Sequence, residues 1–400
     1  MNIAFFVTGF PAISETFIVN QILALQSSGH QVHIFSEQKG NLDKIHPSVK
    51  KGGLLKSTFY RSKLPSSRPG KIRLLLVVFL KNLSVKNFIR ICRASFRNKS
   101  KLSVYDLIHY LDKPEYDILH AHFGVNGNYV LELKKLGLYP HAKFITTFHG
   151  FDLNPRYKRN NFYKELFVSC HCFTVNTNYS RQLLENLGCA KNKIEILPAG
   201  FQTPAFTRKE SSPANECIRL LFAGRLIPLK GPDRFIEIGH ILKQTTSVKF
   251  TATIIGDGEM MPQLIRLIQQ LQLQNVVHLA GEKTHDEVVA LMNASDIFIL
   301  PGIVHNNMAE AQGLVIQEAQ AMQLPVLVSD AGGMAEGVMD GVTGFVLPQN
   351  DLSAFAEKIE LLAGNEDLRK RMGLAGRKFV EAKYDSVLLN EQLLTLYQKK

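Results

Sequence analysis

Two glutamates beside the start of a predicted helix are placed to bind a ligand that is both anionic and rich in hydroxyl groups. Glu310 and Glu318 are eight residues apart, and the apolar run at residues 297–300 predicts a strand that ends shortly before them. The first N–H groups of a helix are unpaired and favour anions such as a diphosphate. A carboxylate on the second helical turn can accept hydrogen bonds from a ribose diol. The alternative is that both glutamates only complement the helix dipole.

Cations follow a second predicted strand, at residues 218–222. Arg225 and Lys230 lie five residues apart just beyond its end, where a guanidinium and an ammonium could clamp a diphosphate. Two surface cations are the alternative. Gly256 and Asp257 follow a third strand in the same way, and a glycine there would allow a flat ligand to approach the backbone closely or would simply permit a tight turn.

Several other chemistries lack their sequence signatures. No G-x-G-x-x-G follows the first predicted strand and no G-x-x-x-x-G-K-[ST] occurs, which argues against dinucleotide oxidoreductases and P-loop nucleotide hydrolases. The five cysteines are irregularly spaced, and Cys170-x-Cys172 lacks the two-residue gap of redox and zinc motifs. This pattern favours reduced thiols in a cytosolic protein. No D-x-D occurs, so nothing in the sequence requires a metal ion on a diphosphate.

The elements that must position these residues form two successive sets of alternating strands and helices. The 400 residues exceed what one core usually supports. The first set has predicted strands at residues 3–7, 32–35, 117–120, 143–147, 173–175 and 194–197, with a helix that begins near Glu15 and ends near Gly29. The second set has strands at residues 218–222, 249–255, 276–279, 297–300 and 325–329, and helices near 232–242, 261–271, 285–293, 313–322 and 352–363.

This alternation predicts an α/β protein with two doubly wound, Rossmann-like domains. Their ligand sites would lie at the carboxyl ends of the strands, which would face each other across a cleft. Residues 203–216 are rich in Pro and Ser and predict the linker between the domains.

The motifs, taken together and in order, resemble the donor domain of the retaining GT-B glycosyltransferases of family 4, also called glycosyl transferases group 1. They are Gly-Arg at 224–225 with Lys-Gly at 230–231, Ile-Gly-Asp-Gly at 255–258, the spaced glutamates, and Gly-Val-Thr-Gly-Phe at 341–345. Glu-Thr-Phe-Ile at 15–18, His-Ala-His-Phe-Gly at 120–124 and His-Gly-Phe-Asp at 149–152 resemble the exopolysaccharide and capsule subgroup, including colanic acid and amylovoran biosynthesis. The resemblance implies an acceptor-binding domain at residues 1–203, a donor-binding domain at 204–379, and a C-terminal helix at about 380–400 packing back on the first domain.

The resemblance also implies a role for each matched residue. Arg225 and Lys230 would hold the diphosphate and stabilise the leaving nucleotide, and Glu318 would bind the ribose. Glu310 would contact donor-sugar hydroxyls, and His149 would lie over the sugar near the reacting carbon. Further donor-side residues are Gly9 in the first loop, Gly224, Gly256, Asp257, Lys283, Gly313, Leu314 and Val315. The acceptor side would be formed by Glu15, His120, His122 and Asp152, although His120 and His122 could equally be structural rim residues. The residue after the first glutamate is commonly Gly or Pro, and here it is Ala311.

The activity implied is transfer of a sugar from a UDP- or GDP-sugar to a hydroxyl of a lipid-linked or oligosaccharide acceptor in bacterial surface polysaccharide synthesis. Anomeric configuration would be retained through front-face attack assisted by the leaving phosphate, without a cofactor or metal. The alternatives are a sugar-nucleotide 2-epimerase of the same fold and a non-catalytic nucleotide-sugar-binding membrane protein.

One segment supplies all of the excess positive charge. Between Lys44 and Lys101 there are 16 of the 47 Lys and Arg residues and no acidic residue, which leaves 31 basic against 35 acidic residues elsewhere. The apolar run at residues 74–80 is bracketed by cations and suits contact with anionic lipid. A buried helix with a basic edge is one alternative, and nucleic acid is another, without a recognition motif. With no signal peptide pattern and no run of 18 apolar residues, the sequence predicts a cytoplasmic protein, peripheral at the inner face of the cell membrane.

Overall fold

The structure, a computed structural model, describes residues 1–12, 15–42, 47–61, 67, 69–70, 110–111, 113–209 and 217–399. The apolar run at 74–80, most of the basic stretch between Lys44 and Lys101, and residues 210–216 of the predicted linker lie outside them. The chain divides into two compact units. The first contains Met1–Val175, Leu183–Ile196 and Leu393–Lys400, and the second contains Asn176–Gln182 and Leu197–Gln392.

The first unit is built on a parallel sheet whose seven described strands have the order β3-β2-β1-β4-β5-β6-β7. The strands are β1 (Asn2–Phe10), β2 (Gln31–Lys39), β3 (Thr58–Tyr60), β4 (Ile118–His122), β5 (Lys143–Phe148), β6 (Cys172–Val175) and β7 (Ile194–Ile196). The chain moves outward from β1 to β3 and then returns to the other side of β1. The order of strands therefore reverses between β1 and β4, where doubly wound sheets usually bind ligands.

Helices connect these strands. They are α1 (Thr16–Ser27), α2 (Pro47–Lys51), α3 (Gly124–Lys135), α4 (Arg156–Arg159), α5 (Lys164–Ser169) and α6 (Asn178–Asn186). Of α6, only the part from Leu183 onward belongs to the first unit. In α1, Ile18, Ile22 and Leu25 recur at helical spacing and are buried. The helix ends as the sequence predicts, because Gly29 adopts a left-handed conformation with φ of 80° and its N–H donates to the carbonyl of Gln26.

The second unit contains a parallel sheet whose six described strands have the order β10-β9-β8-β11-β12-β13. The strands are β8 (Ile218–Ala223), β9 (Phe250–Ile255), β10 (Val277–Gly281), β11 (Ile297–Leu300), β12 (Val326–Ser329) and β13 (Gly344–Leu347). The helices are α7 (Pro232–Thr245), α8 (Met261–Gln270), α9 (His285–Asn293), α10 (Leu314–Ala321), α11 (Leu352–Ala363), α12 (Glu366–Lys383) and α13 (Ser386–Gln398). The residues of α13 from Leu393 onward belong to the first unit. The sheet of the second unit reverses between β8 and β11, and its strands β11 and β12 are fully buried as expected for a sheet covered on both faces.

Short 3₁₀ turns complete the described elements, at Leu54–Ser57, Phe151–Leu153, Lys191–Lys193, Thr203–Ala205, Pro228–Lys230 and Ala335–Gly337. No helix among the residues that the structure describes is both long enough and apolar enough to cross a membrane.

The predicted pair of doubly wound α/β domains is confirmed, but several strands end later than predicted, including β2, which continues to Lys39. The sequence predicted a loop after Val7, whereas β1 continues to Phe10 because Gly9 and Phe10 pair with Gln38 and Lys39 of β2. Gly9 is therefore a strand residue and not part of the first loop. Similarly, β4 continues beyond His120 to His122 through pairing with β5.

Candidate functional site

The reversal point of the second sheet brings together a lysine and a glutamate that the sequence singled out. Lys230 ends the 3₁₀ turn after β8, and Glu310 lies in the loop before α10. Lys230 Nζ and Glu310 Oε2 are 2.5 Å apart, and their side chains are only 11% and 17% exposed. Burial alone would raise the pKa of Glu310, but the charge of Lys230 and the N–H groups of Gln312 and Gly313 together hold that pKa below its usual value.

The start of α10 lies directly beside this ion pair. Gly313 has a φ of 76°, a left-handed conformation that suits glycine, and its N–H donates to Glu310 Oε1 at 3.1 Å. No side chain of the described chain caps this helix. The N–H groups of Leu314 and Val315 therefore have no partner within the helix and are available to an anion.

Glu318 lies on the second turn of α10. Burial raises the pKa of Glu318 to about 7, although the charge of Lys230 opposes this rise. The carboxyl group can therefore exchange its proton near neutral pH, and a hydroxyl-rich ligand could find it as a hydrogen-bond acceptor or donor.

The second predicted cation is placed very differently from Lys230. Arg225 is exposed to solvent after β8, and it forms no ion pair with any residue that the structure describes. The diphosphate clamp that the sequence predicted is therefore asymmetric: one cation is already paired with a carboxylate and the other is unpaired.

Close backbone packing shapes the loops after β8 and β9. A Cβ atom on Gly256 would lie 1.9 Å from the carbonyl oxygen of Gly224, so only glycine fits this position. Asp257 is exposed, and its Oδ1 accepts from the N–H of Gly258 at 2.8 Å. Lys283, after β10, pairs with Glu287 at 3.3 Å.

Two residues that the sequence analysis missed hold the loop that carries Glu310. The carbonyl oxygen of Ala311 accepts from Thr177 Oγ1 at 2.8 Å, and the N–H of Gly333 donates to the carbonyl of Glu310 at 2.8 Å. A Cβ atom on Gly333 would lie 2.0 Å from the Ala311 oxygen. Two consecutive glycines just after β12 were the available signal, since they mark a close approach of backbone at a strand end.

In the first unit, His120 and His122 lie on the same face of β4, and their stacked rings are 4.5 Å apart. Both are completely buried. His120 Nδ1 lies 2.7 Å from Tyr397 Oη, and its Nε2 lies 2.7 Å from Thr147 Oγ1. Burial lowers the pKa of His120 to about 3. With both ring nitrogens bonded inside the unit, His120 supports the strand instead of presenting a group to a ligand.

His149, just after β5, forms a hydrogen-bonded pair with His122. His122 Nδ1 and His149 Nε2 are 3.0 Å apart, and the two rings are parallel within 8°. Burial, reinforced by neighbouring histidines, lowers the pKa of His122, and it lowers the pKa of His149 to about 3. Both rings are therefore neutral, so one ring N–H donates to the other ring. The two remaining nitrogens, His122 Nε2 and His149 Nδ1, have no partner among the described residues.

Asp152 fixes the backbone around His149. Its Oδ1 accepts from the N–H groups of His149 and Gly150, both at 3.0 Å, and its Oδ2 accepts from the N–H of Gly124 at 2.9 Å. Burial raises the pKa of Asp152 to about 6, against the effect of these hydrogen bonds. Both oxygens of its carboxylate thus accept backbone N–H groups from the loops after β4 and β5. Asp152 is therefore a positioning residue for His149.

Glu15 lies at the start of α1, close in the chain to a ring that contacts His149. Burial raises the pKa of Glu15 to about 7, and its side chain does not cap the helix. Phe17, two residues later, packs on His149 with the ring centres 4.8 Å apart.

The described residues contain no group of three or more His, Cys, Asp or Glu side chains arranged to hold a metal ion. The cysteines at 170, 172, 189 and 217 are free thiols.

Two parallel-sheet units that each reverse their strand order define the GT-B class of fold, and solved structures with this fold resemble the chain along its length. The Anabaena protein HepE, solved in complex with UDP, has a TM-score of 0.74 at 17% identity, with 100% of both chains covered. A glycosyltransferase from Rickettsia africae has a TM-score of 0.72 at 22% identity, with 99% of this chain and 98% of that chain covered.

The sequence comparisons identify the family. Residues 205–379 match the family described as glycosyl transferases group 1, and residues 14–203 match glycosyltransferase family 4. The Erwinia amylovora amylovoran biosynthesis glycosyltransferase AmsK is 29% identical, with 100% of both chains covered. WcaL of Salmonella typhimurium, named for colanic acid biosynthesis, is also 29% identical with the same coverage. The chain therefore belongs to the glycosyltransferases that these two families describe.

Proposed function

We propose that this glycosyltransferase moves a sugar from a UDP- or GDP-sugar to a hydroxyl of a lipid-linked or oligosaccharide acceptor in bacterial exopolysaccharide or capsule synthesis. The arrangement around the start of α10 carries the proposal: Lys230, Glu310 and Glu318 lie beside helix N–H groups at the reversal point of the sheet, and Arg225 follows the neighbouring strand β8. Similar structures were solved with UDP and with UDP-glucose, which supports the donor class. The names of the relatives support the class of polymer.

The second unit would stabilise the leaving nucleotide. When the bond between the anomeric carbon and the phosphate oxygen breaks, the diphosphate gains negative charge. Cations and helix N–H groups aimed at that charge lower the barrier most effectively. Glu310 holds the ammonium of Lys230 in place, 2.5 Å away, while the exposed Arg225 is free to move onto the diphosphate. Glu318 would accept hydrogen bonds from the ribose hydroxyls.

The reaction would retain the anomeric configuration by front-face attack. The acceptor oxygen bonds to the anomeric carbon on the face that the phosphate leaves, and its proton passes to the departing phosphate oxygen. The glycosyl carbon becomes positive during this step. His149 suits a place beside it, because a neutral imidazole can bond to a sugar hydroxyl without repelling the developing charge.

The acceptor would be reached at the inner face of the cell membrane. The 16 cations between Lys44 and Lys101 support this part of the proposal by charge alone, because each cation near anionic lipid contributes about 1 kcal/mol at best. Sedimentation with anionic vesicles should weaken as salt increases and should fall when Lys71, Arg73, Lys81, Lys86, Arg90 and Arg93 are replaced by Gln. Absence of binding to acidic vesicles at low salt would refute the membrane contact.

The central test combines nucleotide binding with product analysis. UDP or GDP should raise the melting temperature of the purified protein without added metal, since a ligand of the folded state stabilises it, and Arg225→Ala should reduce that shift. NMR of the product should show free nucleotide and a transferred sugar in its original anomeric configuration. An epimerised nucleotide sugar, an inverted product, or loss of turnover with EDTA would each contradict the corresponding part of the proposal.

A further inference from the structure

A cavity of about 410 Å³ lies in the first unit, between α3 and the strands β1, β2 and β3. Its volume is in the range of small-molecule sites, which is about 300–1,000 Å³. Aromatic side chains from six separate segments form much of its wall. They include Phe35, Phe59, Tyr60, Tyr110, Tyr129 and Phe162. None of the site residues predicted from the sequence lines this cavity.

Charged and amide groups share the wall with these rings. They include the carboxylates of Glu37, Glu132 and Glu165 and the cations Arg61 and Lys135. Arg61 pairs with Glu37 at 3.5 Å, and Lys135 pairs with Glu132 at 2.7 Å and also with Glu165. Cations that already hold carboxylates are less available to a phosphate or another anion. The charged groups also disfavour an acyl chain, which would desolvate them without replacing their hydrogen bonds.

Tyr60 adds an unsatisfied hydrogen-bonding group to this wall. Its hydroxyl is buried and has no partner among the residues that the structure describes. Burial raises the pKa of Tyr60, so the hydroxyl keeps its proton and remains a donor. A buried hydroxyl without a partner is unfavourable, and a ligand that itself carries hydroxyl groups would supply one.

The cavity is joined to the histidine pair by one side chain. Asn126 lines the cavity, and its Nδ2 donates to the carbonyl of His122 at 2.7 Å and to Thr8 Oγ1 at 3.1 Å. A ligand in the cavity would therefore lie near β4, whose His122 pairs with His149. It would not contact the histidine rings themselves.

We propose that this cavity binds a neutral sugar unit of the acceptor glycan. The C–H face of a pyranose ring is apolar and packs on aromatic rings, whose faces carry partial negative charge. Its hydroxyls can donate to carboxylates and accept from the Tyr60 hydroxyl and amide groups. This assignment rests on the proposed function, because it names the class of acceptor for the same transfer reaction.

Saturation-transfer NMR of the full chain with methyl β-D-glucopyranoside and methyl β-D-galactopyranoside tests the assignment. At least one glycoside should bind, and Tyr60→Phe should weaken its binding roughly three- to tenfold through loss of one hydrogen bond. Phe59→Ala should weaken it roughly tenfold through loss of ring contact. Tyr157→Phe is the matched control, since Tyr157 does not line the cavity and its hydroxyl accepts from Arg156 at 2.9 Å.

Three outcomes would overturn the assignment: no glycoside binding, equal binding in wild type and Tyr60→Phe, or displacement of the glycoside by inorganic phosphate or sodium decanoate. Tyr60→Phe decides the matter even if Phe59→Ala fails to fold, because it removes only an unpaired hydroxyl. The UDP-induced melting shift is measured on the same samples. UDP binding without glycoside binding refutes the cavity alone, whereas glycoside binding without UDP binding refutes the donor proposal.

Discussion

The two units keep buried titratable groups in the fold by different means. In the second unit, Glu310 stays charged because Lys230 lies 2.5 Å away. In the first unit, His122 and His149 lose their charge instead, since burial lowers the pKa of each. The buried acid that bonds to the backbone beside them is Asp152, whose oxygens accept from N–H groups.

This difference predicts which substitutions each site should tolerate. A site held by an ion pair is sensitive to the removal of either charge, because the remaining charge is left buried without compensation. A site that is neutral is sensitive to geometry, because hydrogen bonds between fixed neutral groups depend on where the rings and the backbone lie. The arrangement in the second unit suits binding of a diphosphate, and that in the first unit suits contact with an uncharged sugar.

Replacement of the paired cation should have the largest effect. Lys230→Ala should reduce kcat/KM by an amount that corresponds to about 2–4 kcal/mol of transition-state stabilisation, measured by steady-state transfer assays. Lys370→Ala is the control, because Lys370 also pairs with a carboxylate, Glu366, at 2.7 Å, but on an exposed surface. Near-normal turnover of Lys230→Ala would show that charge does not dominate the second unit.

Removal of the backbone acceptor in the first unit should affect stability. Asp152→Ala leaves three N–H groups without their acceptor, which should cost about 3 kcal/mol and lower the melting temperature. Asn154→Ala provides the comparison, since Asn154 Oδ1 accepts the N–H of Arg156 at 3.0 Å in an exposed turn. If both variants melt alike, the buried hydrogen bonds of Asp152 are not what holds the His149 loop.

The pH dependence of stability should reveal the buried carboxyl group of Glu318 in the second unit. Because the pKa of Glu318 is about 7 in the folded chain against an ordinary value of 4.5, the unfolded chain releases this proton more readily. Stability should therefore fall as pH rises from about 4.5 to 7, by on the order of 1–3 kcal/mol.

Glu318→Gln removes this titration. It should raise the melting temperature at pH 8 and change it little at pH 5, while weakening nucleotide binding. Glu366→Gln, on the exposed end of α12, should shift the melting temperature equally at both pH values. The same pH-independent shift for Glu318→Gln would mean that its carboxyl is not held neutral by burial.

The smallest effect should come from the histidine pair. His122→Phe keeps a flat ring against His149 but removes the nitrogen that lies 3.0 Å from it, so turnover should fall roughly three- to tenfold, which corresponds to about 1 kcal/mol. ¹⁵N NMR should show His149 in one tautomer in the wild type and in a mixture in the variant. His141→Phe replaces an exposed histidine and should leave both turnover and the His149 spectrum unchanged. An unaltered His149 spectrum in His122→Phe would refute the pairing.

Strands and helices were predictable where apolar residues are continuous or recur at helical spacing. The donor residues Arg225, Lys230, Glu310 and Glu318 could be selected because strand ends and a helix start lie beside them in the sequence. Their roles in binding stay predictions. Strand β13 was missed because Gly344–Leu347 is short and half-buried, so its hydrophobic pattern is weak.

Contacts between distant segments were not predictable in the same way. The pairing of Lys230 with Glu310, and the approach of Gly333 to Ala311, depend on which loops the sheet order brings together. The cavity has walls from several segments, so no local pattern marks it. Besides the consecutive glycines after β12, one further signal was available: His120 and His122 are two residues apart, and a strand continuing to His122 would place both on one face.

The bond between His120 and Tyr397 also has a consequence for how the protein is made. The two residues are 277 positions apart in the chain, so β4 leaves the ribosome long before its partner does. Until Tyr397 is translated, His120 lacks the hydroxyl that satisfies its buried Nδ1, and an unpaired buried nitrogen disfavours the packed state. Translation that terminates before Tyr397 would therefore release a chain in which the first unit to be synthesised is the one left incomplete.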